Sequence, residues 1–237
     1  MTALFYMNIT LKKEVVSLYT EIEERLASPI YLVGGFTRDT LMGKDPHDLD
    51  FACPCLPQVL FDAYPDALRF EKYGTVTFKE NGYHITLASL RKESGYLDHR
   101  HPSQVSFGAS LEEDSQRRDF TINAIYAKKD GSFIDPQKGL EDLKKKEIKI
   151  IGDKKKRLVE DPLRILRAYR FAYSLSFSFE KETEEAIKEC LPLLHELNPG
   201  KIKEEVSKVP SYLRESFIKE TGILFVYNEE GEKQHGN

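Results

Sequence analysis

The stretch Tyr31–Ala52, YLVGGFTRDTLMGKDPHDLDFA, decides the fold. A short apolar run breaks at Gly34-Gly35 and passes through a charged helical turn. It returns as a second strand carrying Asp48 and Asp50. Side chains alternate across a strand, so residues two apart share a face. Asp48 and Asp50 therefore aim two carboxylates at one point, while Leu49 and Phe51 turn into the core. Two hard oxygen ligands beside a glycine turn suit a Mg²⁺ that is itself holding phosphates. A D-x-D on a strand edge also occurs as a plain solvated face, and Gly-Gly after a strand as a plain turn. The surrounding chain has to choose.

Upstream, Leu11, Val15, Leu18, Ile22 and Leu26 recur at helical spacing, predicting a helix over 10–26 with Thr10 as its N-cap. Downstream, 56–64 reads as a short helix, and 68–79 and 83–90 as two strands joined by the Asn81-Gly82 turn. Residues 91–109 are polar and rich in turn formers, and read as a flexible loop near the site. A helix over 111–118 ends in Arg117-Arg118-Asp119, followed by a turn and a strand over 120–127. Asp130-Gly131 makes another tight turn. From about residue 138 the pattern is helical: 138–146, 153–159, 161–175, 181–194, 199–208 and 211–219. A mixed head over 1–147, a helical domain over 148–227 and a disordered polar tail over 228–237 are expected.

Composition narrows the class. The chain has 237 residues, 40% hydrophobic and 31% charged, with no apolar run long enough for a membrane span and no signal-peptide pattern. Three cysteines make no disulfide framework, and small thiols in a reducing cytoplasm are expected. The net charge of −4 does not advertise nucleic-acid binding, but its distribution is uneven: from Lys138 to Arg170 twelve Lys/Arg face six Asp/Glu.

The arginines of that segment are informative. In Glu160-Asp161-Pro162-Leu163-Arg164-Ile165-Leu166-Arg167-Ala168-Tyr169-Arg170, Pro162 suits the first turn of a helix with Asp161 as N-cap. Arg164, Arg167 and Arg170 recur every third residue as a cationic ridge without interleaved acids, a pattern that calls for phosphate or RNA. An Asp–Arg pair such as Asp161/Arg164 can accept from an exocyclic amino group and donate to the neighbouring ring acceptor. Cytosine and adenine offer that combination; uracil and guanine do not.

Taken together, LVGGFTRDTLMGKDPHDLDFA at 32–52, RRDFTINAIYA at 117–127 and EDPLRILRAYRF at 160–171, with a weaker NPGKIKEEVSKV at 198–209, closely resemble the class II tRNA nucleotidyltransferases. This is the bacterial CCA-adding and poly(A) polymerase branch of the polymerase β superfamily. The resemblance covers roughly residues 28–209. It implies an α+β fold: a nucleotidyltransferase-type head, with a small, mainly antiparallel sheet and flanking helices, followed by a helical neck. It implies template-independent addition of C and/or A to an RNA 3′ end, most naturally that of tRNA, from CTP and ATP at a two-metal Mg²⁺ site. It also implies roles. Asp48 and Asp50 would hold the metals. Gly34, Gly35 and Arg38 would contact the triphosphate. Arg118 and Asp119 would hold the sugar and phosphate region, supported by Asn123. Asp161 and Arg164 would read the base, and Arg167 and Arg170 would extend the nucleotide contacts.

Two departures from the family pattern stand out. The strand after the hairpin usually carries a third carboxylate; here Ile85-Thr86-Leu87 puts a hydroxyl there, with His84 on the same strand face. The family's helical body and tail are reduced here to a short stretch after residue 209, so a homodimer, a separate RNA-binding chain or a smaller substrate is expected to compensate. A catalytically impaired nucleotide- or RNA-binding subunit and a poly(A) polymerase are the alternative readings.

Overall fold

The computed structural model describes residues 8–96 and 102–227. The tail expected over 228–237 lies outside them, as does the centre of the 91–109 segment. The chain divides into two compact units. Among the described residues, the first takes the chain to Gly95 and again over Ser103–Lys144; the second takes Tyr96, Pro102 and the chain from Lys145. From sequence alone the division is expected at 147/148.

The first unit opens with helix α1 (Lys13–Leu26), which buries Val15, Leu18, Tyr19, Ile22 and Leu26 on one face. Its N-cap is Lys12, not Thr10, and no side chain caps it. Strand β1 (Tyr31–Leu32), helix α2 (Gly35–Leu41), strand β2 (Asp48–Cys53) and helix α3 (Pro57–Ala63) follow. The strand expected over 68–79 is two antiparallel strands, β3 (Leu68–Phe70) and β4 (Thr75–Glu80). A 3₁₀ turn and Gly74, at φ +57°, reverse the chain between them. Strand β5 (Tyr83–Ser89) returns through Asn81-Gly82, both at positive φ, as an Asn-Gly hairpin turn requires.

The 91–109 segment is not simply a loop. Strands β6 (Arg91–Tyr96) and β7 (Pro102–Phe107) form a two-stranded sheet of their own. Its burial alternates, but the partly buried side of β6 is formed by Arg91 and Glu93, an ion pair, so no apolar/polar alternation marks it as strand. Helix α4 (Leu111–Arg117) begins with a reciprocal capping box: Ser110 Oγ accepts from Glu113 N and Glu113 Oε2 accepts from Ser110 N. Strands β8 (Tyr126–Ala127) and β9 (Phe133–Ile134) and helix α5 (Gly139–Lys145) complete the unit.

The main sheet has the order β3-β4-β5-β2-β1-β8-β9. Its described pairings are antiparallel except β2 with β5, which run parallel. Alternation gives the two faces opposite characters. Leu32, Leu49, Phe51, Val76, Ile85 and Leu87 point into the main core with α1 and α3. Asp48, Asp50, Thr86 and Thr77 lie on the other face. A second, smaller cluster of Val33, Ala52, Leu90, Ala109 and Tyr126 covers only one end of that face.

The second unit contains α6 (Lys154–Glu160), α7 (Leu163–Leu175), α8 (Lys181–Cys190), α9 (Pro199–Ser207) and α10 (Arg214–Thr221). It is not wholly helical: β10 (Glu147–Ile148) and β11 (Ser178–Phe179) pair in parallel. Ile165, Leu166, Ala168, Ile187 and Phe217 are among its buried residues. The three cysteines are buried thiols. No helix of the described residues is long and apolar enough to cross a membrane.

Candidate active site

Strand β2 presents both carboxylates on the open sheet face. Asp48 is exposed and lies opposite His84 of β5; Asp50, one step further along, lies opposite Thr86. Burial pushes the Asp50 carboxyl above its ordinary range. The Arg118 guanidinium and the Thr86 hydroxyl, which donates to it, pull it down, while Asp48 adds to the rise. The net result is a carboxyl held above its ordinary range despite the facing Arg118. Gly34 comes close on the other side: at φ +77°, a Cβ there would sit 3.2 Å from Asp50 Oδ2. Only glycine lets the backbone pass this near the carboxylate.

Arg38 of α2 is buried and tightly held. Its Nε and Nη2 donate to Asp39 at 2.9 and 2.8 Å, and its Nη1 donates to Asn123 Oδ1 at 2.7 Å. Asn123 thus fastens α2 to the turn at Thr121–Asn123.

The arginines after α4 converge on Asp114, a residue outside the motifs that mark the site in sequence. Asp114 is fully buried. Its Oδ1 accepts from Arg117 Nε at 2.8 Å and from Arg91 N at 3.2 Å. Its Oδ2 accepts from Arg118 Nη2 at 3.0 Å, from Arg118 Nε at 3.2 Å and from the Tyr126 hydroxyl at 2.7 Å. Burial would raise its pKa, but Arg118, Arg117, Tyr126 and the Arg91 amide outweigh that and bring it to about 2. Arg118 also lies over the Tyr126 ring, 5.1 Å from its centre. Tyr126 and Val33 belong to the small cluster on the open face, so the anchor of Arg118 is built into the floor beside Asp50. Asp114 was legible after all. An acid three and four residues ahead of two arginines on one helix is a standard pairing signal. Asp119 follows Arg118, half-buried, before buried Phe120.

In the second unit, α7 starts at Leu163 with Pro162 in the cap position, so Asp161 is not the N-cap proper. Its Oδ1 still accepts from Leu163 N at 3.2 Å, and its Oδ2 accepts from Arg167 Nη2 at 2.6 Å. The expected ridge of arginines without acids is corrected here. Arg170 Nε donates to Glu205 of α9 at 3.1 Å, Arg167 pairs with Asp161, and Arg164 lies buried with Nη1 on the Arg157 carbonyl at 2.6 Å. Helical spacing within 160–171 could not show the acid arriving from another helix.

The pattern of the first unit is that of a known group. Residues 30–149 match the family model for the poly A polymerase head domain. The chain belongs to the poly A polymerase head-domain family. Its relatives are consistent with that placement. The chain is 40% identical over 200 residues to a CCA-adding enzyme of Streptococcus pyogenes serotype M2, covering 83% of this chain and 49% of that protein. Among solved structures it resembles the Bacillus stearothermophilus CCA-adding enzyme in complex with CTP, with a TM-score of 0.73 and 33% identity, over 84% of this chain and 49% of that one. It also resembles a tRNA nucleotidyltransferase complexed with a primer tRNA and an incoming ATP analog, with a TM-score of 0.71 and 30% identity, over 87% and 61% of the two chains. The chain spans about half the length of the curated relatives it matches. Within the family the α+β head expected from sequence is the fold found, with the small sheet and flanking helices in place.

Proposed function

We propose that this chain is a template-independent RNA nucleotidyltransferase that adds C and/or A to the 3′ end of tRNA from CTP and ATP. The observation that carries the reading is the open face of the head sheet, where Asp48, Asp50, the Gly34 backbone and the anchored Arg118 share one site. The terminal hydroxyl of the RNA attacks the α-phosphate, and the bond to the leaving pyrophosphate breaks. Gly34 and Gly35 admit the triphosphate close to the backbone, and Arg118, with Asp119 beside it, holds the nucleotide. Arg38, held by Asn123, fixes the position of α2 and its charge.

The donor set fits Mg²⁺, a hard ion that takes carboxylate and phosphate oxygens and keeps several waters. Asp48 and Asp50 would hold it, and when bound it supplies the positive charge that polarises the α-phosphate. It is not a closed cage: no group of three or more His, Cys, Asp or Glu side chains among the described residues could hold a metal. His84 therefore does not complete a three-ligand set with Asp48 and Asp50. This observation favours one second reading, a subunit that binds nucleotide without turnover.

The deciding experiment incubates the chain with tRNA lacking its 3′ end, Mg²⁺ and single labelled nucleotides. Extension with CTP or ATP is expected; binding of CTP without extension supports the second reading, and neither binding nor extension sinks both. Product length with ATP alone separates a few additions from a poly(A) tail. Thr86→Glu adds a carboxylate beside Asp50 and is expected to raise kcat about tenfold, equivalent to about 1.4 kcal/mol in the transition state. In the second unit, Asp161 and Arg164 are the base readers of this reading, with Arg167 and Arg170 extending the contacts. Asp161→Asn can keep the acceptor for Leu163 N while losing the charge. Competition assays are expected to show the preference for CTP over UTP falling about tenfold.

A further inference from the structure

The open face of the head sheet does not stop at the carboxylates. Residues paired across strands point to the same side, so the register can be followed outward from Asp50. Asp50 pairs with Thr86, Thr86 with Thr77, and Thr77 with Leu68 on the edge strand β3. One row over, Ala88 pairs with Thr75, and Thr75 with Phe70. On the other side of the Asp50 row, Lys79 stands exposed opposite His84. The opposite side chains, Val76, Leu87 and Phe51, are buried in the core. Yet Leu68 and Phe70 are 63% and 47% exposed. Two large apolar side chains in water, on the same face as the carboxylates and in rows with threonines, make a shelf continuous with the site.

We propose that this shelf is a docking platform for the single-stranded 3′ end of the RNA, with the Phe70 ring stacking under an unpaired base. The inference rests on the nucleotidyl-transfer reading and extends it to a substrate subsite. The chemistry favours this occupant. An aromatic ring with hydroxyls and a lysine nearby is what sequence-tolerant binding of a single strand uses: a π-face for the base, hydroxyl donors and positive charge for the backbone. Apart from the carboxylate pair, the three rows from Ala52 to His84 carry no acid. Strand addition by a protein partner fits less well. β3 is three residues long, and Arg69 is engaged with the Phe61 and Pro65 carbonyls on its other side.

The chain contains no tryptophan, so Phe70→Trp installs a single fluorescent reporter. The probe is a 5′-fluorescein-labelled single-stranded RNA dodecamer read by anisotropy, and the unlabelled dodecamer for the Trp signal. Phe70→Ala is expected to weaken RNA binding about tenfold, with Leu68→Ser weakening it less. In Phe70→Trp, RNA is expected to quench the tryptophan. CTP affinity and far-UV circular dichroism should be those of the wild type. RNA affinity unchanged in Phe70→Ala, absence of RNA binding by the wild type, or bound RNA without quenching would each overturn the proposal. So would a Phe70→Ala effect confined to oligomeric state by light scattering, which would make the shelf a protein contact. Failure of the wild type to bind CTP, with Phe70-dependent RNA binding intact, would instead remove the nucleotidyl-transfer reading and leave the shelf standing.

Discussion

Asp50→Asn is expected to reduce nucleotide addition by roughly 10³-fold or more, because it removes a charged metal ligand at the reacting centre. The same variant should fold well, and the reason is specific to this site. Burial raises the Asp50 carboxyl above its ordinary value, which means that the fold holds the ionised form at a cost. A carboxyl with a raised folded-state pKa favours the fold below its unfolded value, and this advantage is lost as pH rises through the folded one. At neutral pH without metal, Asp50→Asn should therefore melt higher than the wild type. Adding Mg²⁺ should reverse the order, because the wild type gains stability from a ligand that binds only the folded state and the variant does not. Thermal unfolding with and without Mg²⁺ checks both halves. A variant that melts lower in chelator and still gains from Mg²⁺ would show that Asp50 is not the ligand. Asp48 is exposed, so Asp48→Asn should lose activity without the gain in metal-free stability.

The second large effect belongs to Asp114. Its carboxylate is fully buried and satisfies Arg117, Arg118, Tyr126 and the Arg91 amide at once. Asparagine keeps the shape and removes the charge that both Arg117 and Arg118 face, although Arg117 keeps Glu93 at 3.7 Å. Breaking a buried pair from one side typically costs about 3–5 kcal/mol. For a chain of this size that corresponds to a melting point lower by roughly 10 °C. The pH dependence has a definite sign. A folded-state pKa of about 2 lies below the ordinary 3.8, so the stabilisation is complete above about pH 4 and disappears as pH falls through about 2. The proton-linked part is on the order of 2 kcal/mol. It is smaller than the cost of the substitution, because protonation leaves the hydrogen-bonding shape in place. Asp114→Asn should flatten the acid limb of the stability curve between pH 4 and 2. It should also weaken CTP binding, since Arg118 loses its anchor, whereas a merely structural role would leave the affinity of the folded fraction unchanged.

How much of this was legible in the sequence depends on the range of the interaction. The placement of Asp48 and Asp50 on one face and of Leu49 and Phe51 in the core followed from strand alternation alone. The Asn81-Gly82 hairpin followed from the backbone that these residues permit. What lay out of reach was pairing between distant segments. The split of 68–79 into two strands falls at Gly74, where any side chain would collide with Pro57 and Phe107, neighbours that no local window contains. The β6–β7 ribbon was hidden because the inward side of β6 is filled by the charged pair Arg91 and Glu93, so its burial period is not written in hydrophobicity. The acids that meet Arg170 and Arg38 come from α9 and from the neighbouring Asp39, and only the second was within local view. Asp114 was within view too, at helical spacing from both arginines.

The parallel pairing of β2 with β5 has a consequence for how the site comes into being. Parallel neighbours cannot be joined by a tight turn, and here the chain travels through α3, β3 and β4 before β5 arrives beside β2. Asp50 meets Thr86 only after that excursion has closed, so the site depends on contacts of long sequence separation, which form slowly. The Gly34-to-Asp50 unit is thus a half-site while the protein is being made. The carboxylates stay without their neighbouring strand until residues beyond 83 have emerged. Metal and nucleotide affinity should accordingly appear during refolding together with the last protection of β5 amides against exchange, and not with the early helices.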